Sequence, residues 1–322
     1  MRWFGCLVVA ALAPVASASF DMMIWWNVNT NRMQRYDPIN RLSLGSFGPS
    51  TSLDNVTHSG NLAYTSAFGS KWFAYDYSTG QQVASTVDGR NINTNLVVDS
   101  TGRLTYGVSS SVLYLDSIND PTATTLATIS GATVKNIVDV GNGYLMVQSR
   151  TSTGTISLAT VNKTTGVVST LGTTYTTGDV SFGQMVLHRD TDGSNYVTMA
   201  RRITSGGVFL ETFFVGSAGT ITHQSTFVLP DWFSATTDSR VNLVSAHNGF
   251  WAVGRDFSTP ATTRLIKFDS DSLPSMEDSF LAPEIVTFGA GDWTMTCVVA
   301  PEPGSLGVLA LGGFALLRRR RR

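Results

Sequence analysis

Residues 19–300 predict an all-β fold, and three observations carry that expectation. Nowhere between residues 20 and 300 do apolar side chains recur at i, i+3 and i+4 over the length an amphipathic helix needs. Short alternating segments stand in their place, rich in the β-branched and aromatic residues that pack well on a pleated, half-buried surface. Turn residues punctuate these segments in two interleaved series with a period near 40–55 residues. With 42% hydrophobic and only 14% charged side chains, the 322-residue chain is neither a disordered polyampholyte nor a polytopic membrane protein.

Residues 1–18 form an expected signal peptide with a helical apolar core. Arg2 supplies the positive charge, Trp3 to Val15 the apolar run, and Ala16-Ser17-Ala18 the small-residue site, so cleavage is expected after Ala18. The apolar run is too short to be a comfortable membrane span. Cys6 departs with this segment, which leaves Cys297 alone in the processed chain and forbids an intramolecular disulfide. The stretch Trp293 to Val299 around it alternates like a strand and predicts a buried structural thiol.

In chain order the clearest strands of the body, residues 19–300, are Met22 to Trp26, Trp72 to Tyr77, Val112 to Leu115, Tyr144 to Val147, Val208 to Val215 and Arg264 to Phe268. One turn series precedes an apolar strand, with glycines at 60, 102, 143, 193 and 249. The second series follows the next strand: Tyr36 to Asn40, Tyr75 to Gly80, Leu115 to Asn119, Val161 to Gly166, Val215 to Gly219 and Phe268 to Ser272. Two such series describe tandem four-stranded sheets that cannot bury both faces alone, the repeat signature of a β-propeller, here with six or seven blades. Tyr75-Asp-Tyr-Ser-Thr-Gly80 and Val161-Asn-Lys-Thr-Thr-Gly166 resemble the blade motif of loosely conserved quinoprotein-like and YVTN-type propellers. The segments Met22 to Val28 and Trp293 to Val299 are expected to share one blade and close the ring. A pair of β-sandwiches of about 140 residues each is the structural alternative.

The C-terminal segment, residues 301–322, has three parts in a fixed order. Pro301-Glu302-Pro303 comes first, then a 14-residue apolar run over 304–317, then five arginines beginning Arg318, Arg319, Arg320. The prolines start a new element, the run is marginal for a full span, and the arginine block favours the cytoplasmic side and halts export. This order closely resembles the PEP-CTERM sorting signal of Gram-negative bacteria. The resemblance implies a C-terminal hydrophobic helix, recognition by an exosortase near Pro301, Glu302 and Pro303, and delivery to the cell surface or the extracellular matrix. The implied partners are the export translocon and the exosortase, with extracellular polysaccharide or surface proteins as further candidates.

Charge excludes another class of partner. Setting aside Arg2, the five terminal arginines and Glu302 leaves 16 basic and 22 acidic side chains in the body, a net of about −6. Nucleic acid, which is held by basic surface that displaces counterions, is therefore not an expected partner.

Catalytic patterns are scarce. His58, His188, His223 and His247 fall at no metal-ligating spacing; His58 and His247 are read as turn residues before a strand. Asp190-Thr-Asp192-Gly193 resembles the start of a calcium loop, but the twelfth position is Arg201 rather than a bidentate glutamate, so a hairpin turn is the simpler account and Ca2+ the weaker one. Nucleophile-elbow, phosphate-loop and dinucleotide motifs are missing. Arg201-Arg202, Asp231-Trp232 and Arg255-Asp256 are the charges to inspect for a funnel site, and otherwise read as solvated loop residues. Trp25, Trp26, Trp72, Trp251 and Trp293 lie in strand patterns as core candidates, and Trp232 is the exposed candidate for sugar stacking. The preferred reading is a non-enzymatic, exported binding and structural module that needs no cofactor. The alternative is a secreted carbohydrate-active or other enzyme with a funnel site, and a quinoprotein-type cofactor propeller is third.

Overall fold

The computed structural model describes residues 19–27, 30–48, 53–67, 71–87, 94–120, 122–175, 179–203, 207–230, 232, 241–256, 262–285 and 295–301. The chain divides into two compact units, Asp21–Val298 and the two ends Met1–Phe20 with Val299–Arg322. Both terminal helices expected from the sequence lie outside the described residues, as do Ala16, Ala18, Glu302, Pro303, Arg318, Arg319 and Arg320.

Every regular element among the described residues is a strand, and the strands form six four-stranded sheets, the blades of a six-bladed β-propeller. The first blade contains β1 (Ser19–Asn27), β2 (Arg32–Asp37) and β3 (Leu42–Phe47). The second contains β4 (Leu53–Ser59), β5 (Leu62–Ala67), β6 (Lys71–Asp76) and β7 (Gln82–Val87). The third contains β8 (Val97–Val98), β9 (Leu104–Val108), β10 (Ser111–Leu115) and β11 (Thr124–Thr128). The fourth runs through β12 (Ala132–Gly141), β13 (Tyr144–Thr151), β14 (Ile156–Asn162) and β15 (Val168–Tyr175). The fifth has β16 (Asp179–Arg189), β17 (Asn195–Ile203), β18 (Val208–Val215) and β19 (Ile221–Val228). The sixth has β20 (Asn242–Ala246), β21 (Gly249–Asp256), β22 (Thr262–Phe268) and β23 (Met276–Leu281). Last comes β24 (Met295–Pro301), which pairs with β1 so that the first blade reads β24-β1-β2-β3. The ring is thus closed by one strand from near each end, as expected, with six blades rather than seven.

The first turn series makes hairpins at which the chain must reverse within two residues. Asn142-Gly143 adopts φ values of 51° and 83°, the doubly left-handed geometry that asparagine and glycine tolerate best. The core lies in layers between successive blades rather than in one interior, which excludes the tandem-sandwich alternative. Tyr64 and Trp72 of the second blade pack with Leu104, Tyr106 and Leu115 of the third. Val112 and Ala127 of the third meet Ile137, Leu145 and Val147 of the fourth. The same holds where Met146 and Leu158 meet Met199 and Phe213, where Leu210 meets Phe250 and Phe268, and where Trp251 and Phe280 meet Trp25 and Tyr36. Each blade is apolar on both faces because each face is an interface, the condition that makes a blade depend on its neighbours.

The second turn series docks blades together. In the fourth blade Asn162 Oδ1 accepts the Thr164 and Thr165 N–H groups at 2.9 Å each, which curls the Asn162–Gly166 turn. Gly166 (φ +69°) then brings the turn backbone against β11 of the third blade so closely that a side-chain carbon there would overlap the Leu126 carbonyl oxygen. The Asp76–Gly80 turn sits likewise on the first blade, where Arg35 Nη1 donates to the Tyr77 and Ser78 carbonyls at 2.7 and 3.0 Å. In the sixth blade the Ser272 carbonyl accepts the Ser225 hydroxyl of β19. Ring closure uses the same device: Arg41, just after the β2 end, stacks 4.4 Å from the Phe280 ring on β23. The recurring Asp/Asn/Gly turn is therefore the clip that fixes each blade on the one before it.

Candidate functional site

A central channel is the natural place for a propeller site, because the first strand of each blade faces the axis. Residues of β4, β8, β12, β16, β20 and β24 jointly line a cavity of about 240 Å³. Its polar groups are Thr57, His58, Asn95, Asp139, Gln184, Ser245 and Thr296, set among Val, Leu, Ile and Met. Asn95 stitches two inner walls: its carboxamide oxygen accepts the Ile137 N–H at 2.7 Å and its amide donates to the Ile137 carbonyl. That side chain replaces a strand partner where β8 is only two residues long. The Gln184 side-chain oxygen is buried with no hydrogen-bond partner among the described residues.

Among the described residues two ionisable groups, His58 and Asp139, line the channel. His58 places Nδ1 2.8 Å from Thr296 Oγ1, and burial lowers its pKa to about 4, so the ring is neutral near pH 7. It lies within β4 and not in a turn, which corrects the sequence reading; only His247 occupies the turn, donating its backbone N–H to Asp21 Oδ1 at 2.6 Å. Asp139 is held on both oxygens, by the Gly141 N–H at 2.9 Å and by Lys163 Nζ at 2.8 Å. Asp139 and the neutral His58 ring line the same cavity and can each hydrogen-bond a small polar molecule. Among the described lining residues Asp139 is the one carboxylate, whereas glycoside cleavage uses two carboxyl groups about 5–10 Å apart.

The other candidates lie elsewhere. His188, 3% exposed, spans two blades: Nε2 lies 2.8 Å from Thr198 Oγ1 and Nδ1 3.1 Å from the Ser270 carbonyl. Burial lowers its pKa to about 4 as well. Arg201 is no solvated loop charge. It stands in β17, with Nη2 2.7 Å from Glu211 Oε1, while His223 Nε2 lies 2.8 Å from Glu211 Oε2 and Thr226 Oγ1 2.7 Å. Burial alone would raise the Glu211 carboxyl, but hydrogen bonds from Thr226, Arg201 and His223 overcome it and hold the group below the usual carboxylate range. A signal for this cluster was present in Val208-Phe-Leu-Glu-Thr-Phe-Phe-Val215, where one carboxylate inside an apolar strand demands a cation nearby. Arg202 is a β17 residue, and Arg255 and Asp256 end β21 opposite Thr263 and Thr262. Asp231 lies outside the described residues.

Asp190 Oδ1 accepts from the Thr191 hydroxyl at 3.1 Å and Asp192 Oδ1 from the Ser194 N–H at 2.7 Å, while Asp190 also faces the Asp271 carboxyl of the sixth blade and helps to raise its pKa. Among the described residues no group of three or more His, Cys, Asp or Glu converges on a point that could hold a metal. A quinoprotein-type quinone bears several carboxylates, and the described channel lining offers no lysine or arginine to meet them, so these residues do not fit such a cofactor. Trp25, Trp26, Trp72 and Trp251 are buried as expected, and Trp293 lies outside the described residues. Trp232 is not openly exposed: it is half-buried against the layer between the fifth and sixth blades, with the Arg264 guanidinium 4.4 Å from its ring. Cys297 is 2% exposed, and burial pushes its thiol pKa well up, which suits a structural thiol.

No family model matches the chain, and no curated protein matches its sequence. Solved structures share the fold. A functionally unknown protein from Desulfotomaculum acetoxidans DSM 771 superposes with a TM-score of 0.52 at 13% identity, covering 81% of this chain and 80% of that one. A variant of the Aleuria aurantia lectin in complex with Fucalpha1-6GlcNAc gives 0.51 at 12% identity, covering 82% and 96%. Hydrazine synthase of Kuenenia stuttgartiensis gives 0.51 at 10% identity, covering 75% and 71%. At such identities the likeness establishes the propeller and leaves the activity to be argued from this chain's own residues.

Proposed function

We propose that this chain is an exported protein, sorted by an exosortase to the cell surface or extracellular matrix, whose propeller is a non-catalytic binding and structural module. The observation that carries the reading is the tail: Pro301 ends the closing strand β24, and Glu302-Pro303, the apolar run 304–317 and the arginine block from Arg318 come next in the sequence. An apolar segment capped by cations stops transfer and leaves the body outside the inner membrane, where a processing enzyme can reach the Pro-Glu-Pro motif. The signal-like residues ending at Ala18 supply the matching departure signal. For the body, the described channel lining presents one carboxylate, already engaged by Lys163, which favours binding over hydrolysis. The partners on this reading are the translocon, the exosortase and then extracellular polysaccharide or surface proteins.

Replacing Arg318, Arg319 and Arg320 together by alanine in the native host tests the tail. The expected result is loss of the processed surface form, with an unprocessed chain, no longer halted in the membrane, in the periplasmic fraction. Normal surface delivery of the triple variant, and of the wild type in a strain lacking its exosortase, would overturn the reading.

A further inference from the structure

We infer that the cavity between the third and fourth blades is a saccharide site that takes a neutral pyranose unit of a polysaccharide; this rests on the binding-module reading and names where the binding occurs. The cavity measures about 360 Å³, within the range of roughly 300–1,000 Å³ usual for ligand pockets. One wall is Arg103, Tyr114 and Thr125 of the third blade; the other is Lys163, Thr164 and Thr165 of the docking turn of the fourth.

At other junctions a side chain of the earlier blade meets the incoming turn, as Arg35 does at Tyr77 and Ser78 and Ser225 does at Ser272. At this junction the arginine is turned aside. Arg103 stacks 4.3 Å from the Tyr114 ring and donates through Nε at 3.0 Å and Nη2 at 2.8 Å to Asp116 Oδ1. The turn backbone closes on Leu126 at Gly166, and the cavity lies beside that contact. Thr125, Thr164 and Thr165 are exposed, so the cavity opens to solvent and the neighbouring units of a polymer can lie outside it.

Charge selects the ligand class. Arg103 is matched by Asp116 and Lys163 by Asp139 at 2.8 Å, so an anion would gain little without displacing a carboxylate. A neutral polyol displaces nothing. Arg103 keeps an amino group, Nη1, for a sugar hydroxyl, and the three threonines of the lining add groups that both donate and accept.

Affinity electrophoresis of the protein purified from its host, through gels containing dextran, laminarin, galactomannan or alginate, tests the site. At least one neutral polymer is expected to retard the wild type. Arg103→Ala and, separately, the cavity-filling Thr125→Trp should each weaken the apparent affinity by about tenfold or more, as loss of hydrogen bonds to a charged group does. His223→Gln on the fifth blade should leave it unchanged, and urea midpoints of all variants verify folding. Retardation that both cavity variants leave intact would overturn this site while keeping a binding module. Retardation by alginate alone would overturn the ligand class, and no retardation by any polymer would overturn the proposal. Failure of the sorting reading shows separately, in the fractionation of the arginine variant.

Discussion

Among the described residues, two buried imidazoles and one buried carboxylate contribute to the acid response of this protein. An unfolded chain protonates His58 and His188 near 6.5, whereas the folded chain holds both near 4. The unfolded state therefore binds protons first. Stability from these rings is complete above pH 6.5 and is lost as pH falls toward 4, by up to about 3 kcal/mol per ring. Urea titrations from pH 7 to 4 should show that loss, and His188→Gln should flatten the slope; an unchanged slope would show that the ring is not held neutral. Glu211 adds a second acid-sensitive group, because its folded pKa is depressed: its contribution is present above the ordinary carboxylate range and disappears as pH falls through the lowered value. Glu211→Ala should cost about 2–3 kcal/mol in urea unfolding at pH 7, since it leaves Arg201 and His223 without their shared partner. At this scale the sequence was only partly legible. The lone glutamate in β18 announced a buried charge, but Arg201 and His223 come from strands on either side of it, and only the ladder register makes them neighbours. His58 looked like a turn residue because the turn glycine follows two positions later, while the strand in fact runs through Ser59.

Strands and turns were more legible, because they depend on local chemistry. The second turn series counted six, and there are six blades. What spacing could not reveal is that these turns also clip the blades together, a contact between residues some 40 positions apart. The role separates glycines that look alike in sequence. Gly166 and Gly102 have φ values of +69° and +85°, so an L side chain strains either one by about 1–2 kcal/mol. At Gly102 the added carbon meets open space, but at Gly166 it meets the Leu126 carbonyl oxygen. Gly166→Ala should therefore destabilise by at least about 1 kcal/mol more than Gly102→Ala in equilibrium unfolding, a steric overlap being added to the same strain. Equal losses would mean that the turn does not seat on the third blade.

For the molecule as a whole, closure of the ring is the structural claim and delivery the functional one. Met22 to Val28 and Trp293 to Val299 were readable as partners because strand alternation at both ends left each segment without a complete blade of its own. The blade number was open because turn spacing lengthens along the chain, from 42 residues between the first two turn glycines to 56 between the last two. The interblade cavity was invisible in sequence, since Arg103 and Lys163 are 60 positions apart and meet only across a junction. Truncation before Met295 removes β24 and leaves β1 with an unpaired inner edge, so cooperative unfolding should be lost; truncation after Pro301 keeps the strand and should preserve it. If both truncated forms melt like the full chain, the closing strand is dispensable. Intact-mass measurement of the protein recovered from the surface of its native host tests delivery most directly. The sorted-passenger reading predicts a chain that begins at Ser19 and lacks the apolar and arginine segments beyond the Pro-Glu-Pro motif. A surface form that still carries Met1 or Arg322 would contradict it.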